Sequence, residues 1–359
     1  MPEESPGEAI KILPVERADL EPLWELAAGA DSPLRRLAPT LETLQELFAQ
    51  GALYGEDRDT FAVRRRGEPV AYGVVSQDDG RALLELGVAP SCRDRRALAA
   101  HCLRWLADCI FSRSWHLERC EFFPPAGDAT LAEAALEAGL QQSGKAAPEC
   151  ASGNASALML TRAEWEQWEA YPVRDDLADV PRGGEPVAAE AISYTAVERA
   201  DLPFLRSLFG AKFAFYNYRP TNLQVLERRF AQGEFFGGHT RVFLVRVAEE
   251  PVGMVRVEDI KHSAPEVGLR LLGPWQARGI GMHATSFIVE HAFSCLPRRP
   301  VKVRALTVAE NEGGNKALRK FGFSLEGVSR RQWFIRGRWR DAALYSLLRE
   351  EWEALPGAR

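Results

Sequence analysis

The sequence predicts an α/β protein made of two tandem domains, each with a mixed sheet covered by helices. Three observations support this prediction. The chain has 359 residues, too many for one ordinary core but suitable for two domains of roughly 170 residues. The word V-E-R-A-D-L occurs twice, at 15–20 and at 197–202. Each half also alternates short β-branched strands with amphipathic helices.

The repeat extends well beyond this one word. At the same offset, from Val15 to Val197, the word F-A-Q-G recurs at 48–51 and 230–233, and E-P-V recurs at 68–70 and 250–252. No gap is needed between these matches, so one domain is written twice. A stretch rich in Pro, Gly, Asp and Ala separates the copies. The predicted boundaries are a first domain over 1–168, a linker over 169–191 and a second domain over 192–359.

The first part of the second half predicts a strand, two helices and a hairpin. Asp201 can cap a helix whose leucines recur at helical spacing. Thr221 or Asn222 can cap a second helix that ends near Gly233. Alternating or β-branched runs predict the opening strand and the two hairpin strands. These strands are 192–195, 242–247 and 252–257.

The second part predicts a strand, a long helix, a strand, a helix and a final hairpin. The segment 279–295 is long and amphipathic, and the short helix at 314–320 stops at Gly322. The last hairpin turns at Gly337. The predicted strands of this part are 265–272, 301–308, 334–336 and 339–348. The first half ends with a similar pattern, so the same order of elements is expected in both halves.

Composition excludes several classes of protein. Hydrophobic residues make up 46% and charged residues 26%, as in a soluble globular protein. The net charge of −5 argues against a chain-wide nucleic-acid surface. Arginines near position 335 form a local basic patch, for which alternating solvated strand residues are the simpler interpretation. No apolar run is long enough to span a membrane, and residues 1–9 lack the apolar core of a signal peptide. The six cysteines show no metal-ligand spacing, so we expect reduced thiols, no metal and a cytoplasmic protein.

One loop in the second half has the character of an anion site. The sequence Q-A-R-G-I-G at 276–281 follows a predicted strand and opens a predicted helix. A helix N-terminus offers unpaired N–H groups and a positive dipole end, and glycines let a phosphate approach the backbone closely. Arg278 adds a charge that can pair with phosphate. An ordinary tight turn is the alternative, and neither the dinucleotide fingerprint nor the Walker pattern fits.

Four matches together relate the second half to a known family. They are Val252-Gly253, Glu266-Val267-Gly268-Leu269, the Q-x-x-G-x-G loop, and Asn311-Glu312 followed by Lys320-Phe321-Gly322-Phe323. With these motifs the segment 192–355 resembles the GNAT superfamily of acyl-CoA-dependent N-acetyltransferases. It is most similar to the branch that acetylates N-terminal amines of ribosomal proteins and, in other members, small amines. The resemblance implies two tandem GNAT-like acyl-CoA N-acyltransferase domains, with acetyl-CoA as the cofactor of the second.

The resemblance also implies which residues hold coenzyme A. The loop should cradle the pyrophosphate, the strand before it should offer backbone groups to the pantetheine arm, and Asn311 should contact that arm through its amide. A helix-start residue is the alternative role for Asn311. The implied cofactor-binding residues are Leu269, Arg270, Leu271, Gln276, Ala277, Arg278, Gly279, Ile280, Gly281, Met282 and Asn311.

The first half is predicted to be a degenerate copy. Arg96 and Leu98 replace the two loop glycines, and their Cβ atoms should block close approach of a diphosphate. Asp128 stands where Asn311 does in the second half, and a carboxylate there would repel phosphates. The arginines at the start of the following helix could hold another anion or be solvated. The first half could shape the substrate cleft, replace a homodimer partner or only stabilise the second half.

Acetyl transfer to an amine needs a base, because an ammonium group has no lone pair. We predict Glu266 as that base, acting directly or through water, since the resemblance places a carboxylate there; the alternative is that it pairs with an arginine or faces solvent. Other candidate bases are Glu258, Asp259 and His262. For the acid the sequence departs from the family pattern. Leu318 and Gly314 stand where the family has tyrosine or serine, so water or Tyr345 is predicted to protonate the leaving thiolate.

An aromatic segment at 213–220 is present only in the second half, in the region where the family binds acceptors. We predict that Phe215, Tyr216 and Tyr218 line a substrate pocket; packing between the two halves is the alternative. The predicted acceptor is a primary amine of a small molecule or of a protein N-terminus. No nucleic-acid or membrane partner is expected. Two copies in one chain favour a monomer with a pseudo-twofold domain pair, with a homodimer as the alternative.

Two other functions fit the same residues. One is an acyltransferase that uses a longer acyl-CoA or a carrier-protein thioester in specialised metabolism. The other is a catalytically inactive protein that binds coenzyme A as a sensor, which the residues at Gly314 and Leu318 motivate. Transfer from longer thioesters, or binding of acetyl-CoA without transfer to any amine, would distinguish these functions from the predicted one.

Overall fold

Two seven-stranded mixed sheets organise the chain, one in each half. The computed structural model describes residues 10–27, 32–53, 58–78, 80–114, 116–125, 127–146, 156–168, 184–211 and 221–355. The chain divides into two units, Met1–Asp175 with Pro220–Gln224, and Asp176–Arg219 with Val225–Arg359. Among the described helices, none is both long and apolar enough to cross a membrane.

The first unit begins with an edge strand and three helices. In chain order its elements are β1 (Lys11–Pro14), α1 (Leu20–Leu26), α2 (Pro33–Leu37), α3 (Leu41–Gln50), β2 (Arg58–Arg65), β3 (Glu68–Asp78), β4 (Arg81–Val88), α4 (Arg95–Arg113), β5 (Arg119–Phe122), α5 (Ala129–Glu137), β6 (Gln141–Ala146), β7 (Ser156–Thr161) and α6 (Arg162–Glu166). The sheet order is β1-β2-β3-β4-β5-β7-β6, with β4 and β5 parallel. One core cluster includes residues of α4, α5 and α6, and another includes residues of α1, α2 and α3.

Within the described residues, the second unit has the same order of elements, with two helices instead of three between its first two strands. Its elements are β8 (Ile192–Ala196), α7 (Leu202–Phe209), α8 (Leu223–Ala231), β9 (Thr240–Val247), β10 (Glu250–Glu258), β11 (Glu266–Leu271), α9 (Ile280–Cys295), β12 (Lys302–Val308), α10 (Glu312–Phe321), β13 (Ser324–Ile335), β14 (Arg338–Leu348) and α11 (Arg349–Glu353). The sheet order is β8-β9-β10-β11-β12-β14-β13, the same as in the first unit. The predicted mixed-sheet α/β fold is therefore confirmed.

The first copy of V-E-R-A-D-L folds into a capped turn before α1. The Glu16 N–H donates to the Asp19 carboxylate at 2.8 Å, which satisfies one of the donors left unpaired at a helix start. Asp19 is buried and forms an ion pair with Arg64 of β2 at 2.6 Å. The pair joins the helix start to the neighbouring strand.

The second copy folds in the same way before α7. The Glu198 N–H donates to Asp201 at 2.9 Å, and Arg246 of β9 pairs with Asp201 at 2.5 Å. Asp201 is the N-cap residue of α7, as predicted, but its carboxylate accepts from Glu198 at the start of the preceding 3₁₀ turn, Arg199–Asp201, rather than from an N–H of the helix. The same acid, backbone donor and arginine thus recur at equivalent positions in both units.

The parallel strand pair differs between the units. In the first unit, β4 and β5 pair at four positions, from Arg81 with Arg119 to Leu84 with Phe122. In the second unit, β11 and β12 pair at one position, Glu266 with Arg304. Beyond that pair the strands diverge, so the backbone groups that β11 and β12 turn toward each other have no ladder partner there. An opening between two central strands is therefore longer in the second unit.

The predicted start of β13 has the largest error, and the starts of β9, β10 and α10 are each two residues earlier than predicted. Strand β13 begins at Ser324, ten residues before the predicted start, because most of its residues are exposed and it lacks a buried face that alternation could reveal. Its register also shifts between Ser329 and Trp333. Helix α10 begins at Glu312 because the Asn311 side chain caps it, two residues before the predicted start.

A buried hydrogen bond joins the last helix of the first unit, α6, to α4. The indole N–H of Trp165 in α6 donates to the Asp108 carboxylate in α4 at 3.0 Å, and both side chains are fully buried. Burying a carboxylate is costly unless donors compensate it. This bond therefore fixes α6 against α4.

We expect Trp165→Phe to lower the free energy of unfolding of the first unit by about 1–3 kcal/mol, because the buried side-chain oxygen of Asp108 loses this hydrogen bond. Urea unfolding followed by hydrogen exchange in α4 measures the change. Trp168→Phe is the matched control, since the indole N–H of Trp168 has no acceptor among the described residues. Equal stability of Trp165→Phe and the wild type would contradict the prediction.

Candidate active site

The loop between β11 and α9 is shaped by two residues with positive φ. Ala277 has φ 60° and Gly279 has φ 86°, and α9 begins directly after Gly279, at Ile280. Residues that alternate in this way turn successive N–H groups toward one side of the chain. The first N–H groups of α9 lie at the same place, with the positive end of the helix dipole. The loop therefore has the backbone geometry of an anion site.

The space where a side chain would lie is open at both loop glycines, Gly279 and Gly281. A Cβ atom added at Gly279 would meet no described atom within 4 Å, and one added at Gly281 would meet only Leu269 Cδ2, at 3.6 Å. Protein packing therefore does not require glycine at Gly281. The space beside the N–H groups is what the two glycines preserve, as a phosphate site requires.

Arg278 is held by the end of the predicted linker. Its Nε donates to the Glu185 carbonyl at 2.9 Å, and its own carbonyl accepts from the Val187 N–H at 3.0 Å. The guanidinium also lies over the Trp275 ring, 4.5 Å from its centroid. These contacts fix the Arg278 guanidinium, which is predicted to face phosphate, beside the loop. Its Nε is already hydrogen-bonded, whereas its two terminal nitrogens have no partner among the described residues.

The other predicted cofactor-binding residues gather around this loop. Gln276 donates from its side chain to the Leu271 carbonyl at 2.9 Å, which ties the loop to the end of β11. Leu269 lies beside Gly281, and Met282 donates from its backbone to the Gly279 carbonyl. Arg270 differs, because its guanidinium lies over the Phe209 ring of α7.

Glu266 lies at the narrow end of the opening between β11 and β12. It is the one residue of β11 that pairs with β12, through Arg304, and it faces Glu258 across the antiparallel pair with β10. Partial burial raises the pKa of the Glu266 carboxyl, and the charge of Glu258 raises it further, while Arg256 and Arg304 oppose this shift. No described residue donates a hydrogen bond to it. A half-buried carboxylate with a raised pKa has the properties of a general base.

The alternative bases are ion-paired or exposed. Asp259 is exposed and pairs with Arg304 at 3.4 Å, and Glu258 pairs with Arg256 at 3.1 Å. His262 is exposed on the turn that follows β10. These side chains lie next to the Glu266 end of the opening, so they can affect its charge.

Asn311 uses its side chain within the protein. Its Oδ1 accepts from the Gly314 N–H at 3.2 Å, which caps α10, and its Nδ2 donates to Thr307 Oγ1 at 2.9 Å. The structure therefore gives Asn311 the helix-start role that the sequence left as an alternative. Its contact with the pantetheine arm stays a prediction.

Tyr345 is buried and already bonded. Its side chain is 1% exposed, and its hydroxyl donates to Asn315 Oδ1 at 2.8 Å. Asn315 in turn donates to carbonyl groups of the turn between β12 and α10, including that of Asn311 at 2.7 Å. With its proton committed in this way, Tyr345 as the acid stays a prediction that the geometry does not favour.

The aromatic residues predicted to bind the acceptor fall outside the described part of the chain. They are Phe215, Tyr216 and Tyr218. The structure therefore neither places them in the site nor separates them from it. Within the described residues, no group of three or more His, Cys, Asp or Glu side chains could hold a metal ion.

The corresponding loop of the first unit is filled by ion pairs. Arg95 pairs with Asp128 through both terminal nitrogens, at 2.5 and 3.1 Å, and Arg96 pairs with Glu133 and Glu137 at 2.9 Å. Asp128 caps α5 as Asn311 caps α10. Helix α4 also begins at Arg95, so the position that corresponds to the end of the glycine turn lies inside a helix. The arginines are therefore neutralised by carboxylates of the same unit.

A second pair closes the same loop from the other side. Arg65 pairs with Asp94 at 2.6 Å, and the Cys92 thiol also donates to Asp94. These donors hold the pKa of the Asp94 carboxyl well below its usual range. The charges of Arg65, Arg95 and Arg96 are therefore balanced by carboxylates of the same unit.

Three features of the site were missed from the sequence. They are the Thr307 hydroxyl bonded to Asn311, the Asn315 side chain below it, and the residues of the predicted linker that hold Arg278. A hydroxyl four residues before Asn311 was the available signal for the first. The others depend on contacts between distant segments, which residue patterns do not show.

Comparison with known proteins assigns the class of the second half. The sequence model of the acetyltransferase (GNAT) domain matches residues 194–324. The spermidine N(1)-acetyltransferase of Escherichia coli strain K12 is 27% identical over 171 residues, 46% of this chain and 91% of that protein. An uncharacterized N-acetyltransferase of Bacillus subtilis strain 168, YoaA, is 29% identical over 89 residues, 25% of this chain and 49% of that protein. The solved spermidine N-acetyltransferase of Vibrio cholerae in complex with CoA and spermine aligns with a TM-score of 0.42 at 21% identity, over 45% of this chain and 98% of that one.

The second half therefore contains a GNAT acetyltransferase domain. The protein is an N-acetyltransferase, and the acetyl donor of this class is acetyl-CoA. The predicted enzyme class and cofactor are confirmed. The residues that hold the donor, the catalytic residues and the acceptor stay predictions.

The raised pKa of Glu266 has a consequence for stability. A carboxyl whose pKa is higher in the folded state destabilises that state when ionised, above the folded pKa, and this cost disappears below the unfolded pKa of about 4.3. We therefore expect Glu266→Gln to raise the urea midpoint at pH 8, with a gain that shrinks toward pH 4.

Glu326→Gln is a control of opposite sign. Hydrogen bonds from Lys302 and Ser346 lower the pKa of Glu326, so its ionised form stabilises the fold above the unfolded pKa and that stability is lost as the pH falls. This variant should lower the midpoint at pH 8. A lower midpoint for Glu266→Gln at pH 8 would show that Glu266 is paired and would contradict its assignment as a base.

Proposed function

We propose that the second half transfers the acetyl group of acetyl-CoA to a primary amine, by direct attack, with Glu266 as the general base. The observation that carries this proposal is the position of Glu266, a half-buried carboxylate with a raised pKa at the point where β11 and β12 separate. Bound acetyl-CoA would supply an activated acyl carbon at that opening. The loop at 276–281 would hold its pyrophosphate through backbone N–H groups and Arg278.

The chain's own groups cover most of the needs of the reaction. Glu266 can take the proton of an incoming ammonium, directly or through one water. The N–H groups of β11 that point toward β12 lack ladder partners and can donate to the acyl oxygen, where negative charge develops. Divergence of the strands also leaves room for the pantetheine arm between Leu269 and Thr307.

We propose a small cationic amine of the polyamine class as the first acceptor to test. The name of the Escherichia coli relative specifies spermidine, and Glu258 and Asp259 place carboxylates beside Glu266 that could attract a second ammonium group. A protein N-terminus is the other acceptor class, as the resemblance to the ribosomal-protein branch implies. Coupled release of the CoA thiol with spermidine, spermine, amino acids and short peptides separates these classes.

A second candidate function is an inactive CoA-binding sensor. It is favoured by the absence of a hydroxyl at Gly314 and Leu318 and by the committed proton of Tyr345. Binding of acetyl-CoA without transfer to any amine of the panel would support this function. Faster transfer from longer acyl-CoA than from acetyl-CoA would instead indicate the related acyltransferase.

The loop predicts where the donor binds. Gly279→Arg with Gly281→Leu copies the first unit's loop into the second, fills the space beside the N–H groups and forces a side chain into positive φ. We expect calorimetric titration to show one site for acetyl-CoA in the wild type and at least about a 100-fold weaker affinity in this variant.

The matched control is Arg96→Gly in the first unit. Arg96 is exposed and bonded to Glu133 and Glu137, so its removal should leave both the affinity and the single site unchanged. Two sites in the wild type would show that the first unit also binds, and no binding would contradict the proposed function.

A further inference from the structure

The opening between β11 and β12 contains a hydroxyl group that has not been assigned a role. Strand β12 carries one hydroxyl residue, Thr307, three positions beyond the last residue that pairs with β11. Its side chain is half-buried, on the same face of the strand as the core residues Val303 and Ala305. Thr307 therefore borders the space that the proposed function gives to the pantetheine arm.

The orientation of the Thr307 hydroxyl is set by Asn311. The Nδ2 of Asn311 donates to Thr307 Oγ1 at 2.9 Å, and the Oδ1 of Asn311 is fixed by the Gly314 N–H. A threonine hydroxyl has one hydrogen to donate and can accept at the same time. Asn311 donates to Thr307 Oγ1, so the hydrogen of the Thr307 hydroxyl must point in another direction. No described residue accepts a hydrogen bond from it.

Gly314 makes this arrangement fit. A Cβ atom at Gly314 would lie 2.6 Å from Asn311 Nδ2 and 3.1 Å from Thr307 Oγ1. Any side chain at this position would therefore displace the pair. Gly314 lacks the serine hydroxyl of the family pattern, and its missing side chain leaves room for the Thr307 hydroxyl.

Other hydroxyl groups around the opening are already used. Tyr345 donates to Asn315 at 2.8 Å, and Thr285 donates to the Gly281 carbonyl at 2.8 Å. Leu318 carries no polar atom. Among the described residues near β12 and α10, Thr307 is the hydroxyl residue whose hydrogen has no acceptor within the protein.

We propose that Thr307 is a catalytic residue whose hydroxyl donates a hydrogen bond to the sulfur of coenzyme A as the thiolate leaves. This proposal rests on the proposed function. The bond between the amine nitrogen and the acyl carbon forms, and the carbon–sulfur bond breaks with its electron pair on sulfur. The amine proton passes to Glu266 or water and reaches the sulfur through solvent. Thr307 keeps its own proton and stabilises the thiolate until then, as hydrogen bonds to charged groups do.

The test measures the thiol of bound coenzyme A rather than turnover. Free coenzyme A is titrated in the presence of saturating wild-type protein, Thr307→Val or Thr307→Ser, and the ultraviolet absorbance of the thiolate gives the pKa of the bound thiol. A hydrogen bond to the thiolate lowers that pKa. We expect the valine variant to raise it by about one unit, a tenfold change in the ionisation constant, and the serine variant to match the wild type.

Kinetics supply a second readout. With an amine acceptor, Thr307→Val should lower kcat about 10- to 100-fold and leave the KM for acetyl-CoA within about threefold, because the lost interaction forms only as the thiolate leaves. Thr307→Ser should recover most of the rate. A purely structural role would instead weaken CoA binding in both variants.

The outcomes separate this proposal from the proposed function. If the valine variant binds coenzyme A and the thiol pKa equals that of the wild type, the role of Thr307 is overturned while the proposed function stands. If the pKa rises but no amine is acetylated, Thr307 contacts the sulfur and the transfer function is overturned. If wild-type protein binds no coenzyme A, both are overturned.

Discussion

The candidate site depends on the early separation of two parallel strands. Strands β11 and β12 pair through Glu266 and Arg304 and then diverge, which leaves backbone donors and acceptors without a ladder partner. Unpaired backbone groups are costly when buried, so such an opening persists only where something else can satisfy them. Each functional group described above borders it: the carboxylate lies at its narrow end, the glycine loop follows β11, and the Thr307 and Asn311 pair follows the course of β12.

The two units share a sheet order and differ around the loop that follows the fourth strand of each. Both preserve the sheet order, the capped turn of V-E-R-A-D-L and the helix cap before α5 and α10. The first unit pairs its parallel strands over four positions and carries salt bridges, such as that between Arg95 and Asp128, beside the corresponding loop. These changes exchange an open, ligand-dependent surface for internal pairing. They support the interpretation of the first unit as a degenerate copy.

The fold could be predicted well from the sequence, because the repeated segments show the same pattern of strands and helices twice. The order of the strands and the turn at 276–281 followed from local patterns, and the enzyme class and the donor followed from the family resemblance that the motifs carry. Strand β13 was missed over most of its length, since an exposed edge strand lacks the alternation that marks a buried face. The helix-start role of Asn311 was predicted only as an alternative, and the hydrogen bond of Tyr345 was not predicted, because both depend on which neighbour reaches each polar atom. Glycine at Gly314 read as a loss in the sequence, whereas the structure shows that it admits the pair between Thr307 and Asn311.

Glu185 and Val187 contact Arg278, so the segment that joins the two halves is more than a connector. A connector usually tolerates changes of length and composition, because it touches neither domain closely. Here its last residues are bonded to the loop that would hold the pyrophosphate. Changes at Glu185 or Val187 would therefore disturb this loop from outside the repeated domain. A separately expressed second half would need to start upstream of this segment to keep its loop intact.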